Sequence, residues 1–144
     1  MRNYLILLFV SFLTISASAQ NKNNLWVELN GDLTNTSLTN AAVNPAIVYF
    51  PTNNVGVRAS GYLQEFGGET DQSLDLSLRY YPGSKCYAQV GVLTDFDEST
   101  GLSISAGYTA SLGGKFYIEP SVRYVSVDKY NQVGISLGVG VNLN

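Results

Sequence analysis

Histidine is absent from this chain of 144 residues. That gap removes the commonest general base and the commonest metal ligand together. Cysteine occurs once, at Cys86, so no intramolecular disulfide can staple the fold. No basic run or tail is present, which argues against nucleic acid as a partner. No stretch after residue 20 repeats with a helical period, so helical fold classes drop out. Glycine and tyrosine are plentiful instead, at 14 and 10 residues, and their abundance points to an all-β chain.

The first residues predict export. Met1 and Arg2 give a positive start, an apolar run extends from Tyr4 to Leu13, and Ala17-Ser18-Ala19 forms a small-x-small cleavage site. The run is too short to anchor the chain permanently in a bilayer. No cysteine follows it, which excludes a lipoprotein. Residues 1–19 are therefore expected to be a signal read by the Sec pathway, and residues 20–144 a single mature domain. Without Arg2 the mature part holds seven basic against eleven acidic side chains, a net charge of −4.

Short alternating segments separated by turn formers predict eight strands. They are Leu25–Leu33, Val43–Phe50, Val55–Gln64, Leu74–Tyr81, Cys86–Phe96, Leu102–Leu112, Phe116–Val127 and Val133–Leu143. Tight turns are expected at 51–54, 82–85 and 113–115, where Pro, Gly or Asn supplies the needed backbone angles. Longer loops are expected at 34–42, 65–73, 97–101 and 128–132, with Glu65, Glu69, Asp71, Asp97, Glu98 and Asp128 making that rim acidic. Short turns at one end and longer loops at the other is how an outer-membrane barrel is organised, with both termini at the turn end. Sequential hairpins make an up-and-down barrel the simplest topology.

Side-chain alternation then assigns the faces. In the last strand Val133, Ile135, Leu137, Val139, Val141 and Leu143 lie opposite Gly134, Ser136, Gly138, Gly140 and Asn142. Small residues suit the crowded interior of a narrow barrel, so the aliphatic face is expected to meet lipid. Glu28, Arg58, Asp75, Arg79, Gln89, Glu119 and Arg123 share the small-residue face. Counted from the turn end they form two levels. Glu28, Arg58, Arg79, Gln89 and Glu119 lie roughly 10 Å in, with Asp75 and Arg123 about four residues higher. Each level balances its charge, as ions in a narrow lumen must, since an unpaired buried charge costs several kcal/mol. Trp26, Tyr49, Phe50, Tyr80, Tyr81, Tyr87, Phe116 and Tyr117 flank the turn end, and Phe66, Phe96 and Tyr130 the other. They suggest interfacial girdles, of which parity turns about half inward.

Particular segments resemble the small bacterial outer-membrane β-barrel domain family, of OmpA/OmpX type. Asn44-Pro45-Ala46-Ile47-Val48-Tyr49-Phe50, followed by Asn54-Val55-Gly56-Val57, is similar to its second hairpin. Arg79-Tyr80-Tyr81-Pro82 resembles the end of its fourth strand, and Glu119-Pro120-Ser121-Val122-Arg123-Tyr124 its seventh. The resemblance covers nearly the whole mature chain. It implies an eight-stranded barrel with a surface, adhesion or envelope-structural role and no catalytic residues to carry over. One departure is the ending Val141-Asn142-Leu143-Asn144, where barrels of this kind commonly end on an aromatic that the assembly machinery recognises.

Motifs that suggest chemistry are weak. A serine–histidine mechanism is impossible without histidine. Asp95, Asp97 and Glu98 lack the spacing and terminal glutamate of a calcium loop. Asn35-Thr36-Ser37 spells a glycosylation sequon but reads as an ordinary loop. Glu28 and Glu119 could serve as a glycosidic carboxylate pair, yet Arg58 and Arg79 on the same face favour an ion network. Cys86 reads as a small apolar residue. The expectation is thus an all-β, eight-stranded antiparallel up-and-down transmembrane barrel with no catalysis, cofactor or metal. It would be a monomer in the outer membrane whose partners are membrane lipid and, during insertion, the barrel-assembly machinery. The alternative is a soluble periplasmic or secreted barrel, lipocalin-like, whose aliphatic stripe lines a cavity for an apolar ligand.

Overall fold

A computed structural model describes residues 22–33, 43–66, 69–95, 99–127 and 130–144. The expected signal, the sequon at 35–37 and the loop residues 34–42, 96–98 and 128–129 lie outside that description. The strands are β1 (Leu25–Asp32), β2 (Val43–Tyr49), β3 (Val55–Phe66), β4 (Glu69–Tyr80), β5 (Cys86–Asp95), β6 (Thr100–Tyr108), β7 (Ala110–Gly113), β8 (Phe116–Val127) and β9 (Tyr130–Asn142). All pairings are antiparallel. The order β6-β5-β4-β3-β2-β1-β9-β8-β7 closes on itself because β6 also pairs with β8. Since β6 and β7 lie on the same side of β8, they are two halves of one stave, and the molecule is a closed eight-stranded barrel. Closure leaves no open sheet edge.

The break between β6 and β7 has a cause in β8. Their registers, Gly107 with Ser121 and Ala110 with Ile118, place Tyr108 opposite Pro120. The Asn142 N–H donates to the Lys115 carbonyl at 2.9 Å, so odd positions of β8 bond to β9 and even ones face β6 and β7. Pro120 is therefore aimed at this stave with no N–H to give. Pro45 does the same across the barrel. The Phe50 N–H donates to the Asn24 carbonyl at 3.0 Å, which turns odd positions of β2 toward β3. The β2–β3 register skips from Val43 with Leu63 to Ala46 with Ser60.

The expected contrast between short turns and long loops does not hold. Strand β3 runs on to Phe66 and β4 starts at Glu69, leaving a two-residue connection. Gln64 pairs with Asp71, Glu65 with Thr70 and Phe66 with Glu69, so the acidic residues there belong to the ladder. Strands β8 and β9 are likewise joined by two residues, with Val127 paired to Tyr130. Polar composition suggested loops where the backbone continues the ladder. Only 33–42 is long.

Outside, aliphatic residues form a continuous belt. Val27 pairs with Ile47, Leu29 with Val139, Leu78 with Val57 and Val90, Leu76 with Val92, and Ile104 with Tyr124. All of these side chains are exposed. Along β9 the outward row from Val133 to Leu143 rises roughly 25 Å, at ~3.3 Å per residue and a tilt near 40°, which matches the apolar band of an outer-membrane barrel. A soluble protein would not leave such a belt in water.

Candidate functional site: the barrel lumen

Alternation along each strand turns every second side chain inward, and the inward set is polar. Glu28, Asn30, Arg58, Ser60, Asp75, Ser77, Arg79, Gln89, Ser103, Ser105 and Glu119 are all buried. Arg79 is at the centre of the lower level. Its Nη1 donates to Glu28 Oε1 at 2.7 Å and Glu119 Oε2 at 2.9 Å, and its Nε donates to Gln89 Oε1 at 2.9 Å. Arg58 donates through Nε to Glu28 Oε2 at 3.1 Å and through Nη1 to Ser60 Oγ at 2.7 Å. Two guanidinium groups thus meet two carboxylates with most of their hydrogen-bonding positions filled. That is the condition under which buried ions are tolerated.

The upper level is a pair. Arg123 Nη2 meets Asp75 Oδ2 at 2.5 Å, and Ser103 Oγ donates to the same oxygen at 2.8 Å. All seven residues singled out from the sequence thus face the lumen, five in one connected network and two in the other. Arg123 is the most accessible, with its side chain 21% exposed.

Sequence reasoning did not identify the neutral partners. Thr109 Oγ1 donates to Glu119 Oε1 at 2.5 Å, Tyr81 to the same oxygen at 3.2 Å, and Tyr117 to Glu28 Oε1 at 3.3 Å. The Arg79 guanidinium lies 4.2 Å from the centre of the Tyr87 ring, a cation–π contact. Inward parity and closeness to the charges in strand position were the available signals.

Below the ions an aromatic plug fills the turn end. The Trp26 ring lies tilted against Phe50 at 4.7 Å and Tyr117 at 4.4 Å, and Tyr81 lies 5.9 Å from Phe50 and 5.5 Å from Tyr87. The girdle expected here is therefore divided. Trp26, Phe50, Tyr81, Tyr87 and Tyr117 are buried inside, while Tyr49, Tyr80 and Phe116 point outward. The side chains of Phe66, Phe96 and Tyr130 fall outside the described residues. Two inward rings lie over glycines directly across the ladder, Tyr87 over Gly107 and Tyr117 over Gly140. A Cβ at Gly107 would fall 2.5 Å from the Tyr87 ring, so the small residues of the lumen are sockets for large ones.

The plug and the lower ion level fill the turn half of the lumen with side chains, and Glu28 and Glu119, the possible carboxylate pair, both bind Arg79. The apolar-ligand reading required the aliphatic stripe of β9 to line a cavity. Val133 in that stripe is instead 64% exposed on the outside. Cys86 lies on the outward face opposite Tyr108 and is exposed.

No protein-family model matches the chain. No curated protein matches it either. Among solved structures it is similar to the N-terminal β-barrel domain of Pseudomonas aeruginosa OprF. The TM-score is 0.70 at 18% identity, over 86% of this chain and all of that one. A de novo designed transmembrane β-barrel superposes with a TM-score of 0.67 at 12% identity, over 86% of this chain and 98% of the design. The solution NMR structure of the designed TMB2.3 gives 0.64 at 13% identity, over 86% and 97%. At such identities the likeness concerns architecture: the chain has the closed, eight-stranded antiparallel fold of OmpA-like transmembrane barrels.

Proposed function

We propose that this protein is a small outer-membrane barrel with a structural or surface-interaction role and no catalysis, delivered by the Sec pathway and inserted as a monomer with the barrel-assembly machinery. The observation that carries this reading is the inversion of the usual soluble arrangement. Valine, leucine and isoleucine rows clothe the exterior, while ion pairs occupy the middle. In hydrocarbon only a closed barrel or a helix satisfies every backbone group, and this chain builds the former. An Arg turned to lipid at mid-membrane would cost ~2–4 kcal/mol, and no such residue appears among the described positions. The likeness to OprF and to designed transmembrane barrels supports the same location.

Extraction from cells and gel mobility test the proposal. The expected result is a protein that needs detergent for release and migrates differently with and without boiling. Release by osmotic shock alone would overturn it.

A further inference from the structure

The ionic side chains sort into three zones. Three of the eleven carboxylates, Glu28, Asp75 and Glu119, are inside with the three arginines Arg58, Arg79 and Arg123, so the lumen is neutral. Of the other eight, the described Asp32, Glu65, Glu69, Asp71 and Asp95 belong to the ends of β1, β3, β4 and β5 opposite the turns. Lysine does the reverse: the three described lysines, Lys22, Lys85 and Lys115, are all exposed at the turn end. No exterior Asp or Glu accompanies the three lysines among the described residues.

They are spread around the rim rather than bunched. Lys22 precedes β1, Lys85 joins β4 to β5, and Lys115 joins β7 to β8. Their height is fixed by outward aromatics, since Tyr49, Tyr80, Tyr108 and Phe116 are exposed at the same end, and such rings lie at the level of lipid headgroups. Lys85 Nζ lies 5.9 Å from the Tyr108 ring centre, which places one ammonium beside that level.

The geometry points to an anionic-lipid collar: the Lys22, Lys85 and Lys115 rim docks the phosphates of negatively charged phospholipids in the leaflet at the turn end. This inference rests on the membrane reading above and adds a lipid class to it. The chain as a whole is acidic, so whole-molecule charge alone predicts repulsion from anionic lipid, whereas the rim predicts attraction. Each ammonium near such a surface strengthens association about fivefold at modest salt, and the effect fades beyond a Debye length of ~8 Å.

The test uses the full mature barrel folded in phosphatidylcholine vesicles containing a trace of spin-labelled phosphatidylglycerol or spin-labelled phosphatidylcholine. The motionally restricted fraction of each probe gives their relative association. The expected result is a several-fold preference for phosphatidylglycerol that collapses toward unity at high salt and in the Lys22→Gln, Lys85→Gln, Lys115→Gln triple variant. No preference in the parent protein or an unchanged preference in the triple variant would each overturn the collar while leaving the membrane barrel standing. A complete lack of restricted signal with either probe would overturn both.

Discussion

Arg79 shows how much one side chain can hold together in a space this narrow. It bridges Glu28 of β1 and Glu119 of β8, bonds Gln89 of β5 and lies over Tyr87, while being itself only 2% exposed. Removing it strands Glu119 without a cation in a low-dielectric interior and leaves Glu28 to Arg58 alone, a loss of about 3–5 kcal/mol for a broken buried pair. Arg79→Leu is expected to lower the urea midpoint of the folded barrel steeply, whereas Lys85→Leu on the rim barely moves it; equal midpoints would remove the network as a source of stability. The charged residues of this network were legible in the sequence because alternation assigns a face and charge balance assigns partners. Thr109, Tyr81 and Tyr117 were not. Hydroxyl groups carry no sign to match, and their role depends on which strand lies opposite.

Individual strands were legible within a few residues, because period-two alternation is strong where one face meets lipid and the other a packed lumen. The signal failed where that contrast fades. Beyond the apolar belt both faces of a strand can be polar, so Glu65 to Ser73 read as a loop although most of it is ladder. The interruption at Thr109 was hidden for a different reason: it is caused by Pro120, a residue eleven positions on, and becomes visible only once the register is known. Restoring a donor there has a defined consequence. Pro120→Val is expected to give the Tyr108 carbonyl a donor, join β6 to β7 and stabilise the barrel by about 0.5–1.5 kcal/mol, the net worth of one hydrogen bond. Fast exchange of the new amide at position 120 would show that something other than the proline separates the two halves.

As a whole the molecule is a cylinder plugged at its turn end. The aromatic plug and the ion network together occupy the turn half of the lumen, in keeping with an eight-stranded barrel whose interior is wide enough for side chains only. In planar lipid bilayers the folded protein is expected to show no stepwise conductance, and regular single-channel steps would contradict the packing. With the interior occupied and the flanks given over to lipid, chemistry available to water is left to the two rims. Three of the four connections at the acidic rim are short: two residues follow β3, four follow β5 and two follow β8. The ten positions 33–42 are the exception, and from Thr34 to Ala42 they carry Thr, Asn, Ser, Leu and Ala without a single charge. Recognition of that uncharged stretch by a macromolecule would have to read amides and hydroxyls rather than ions.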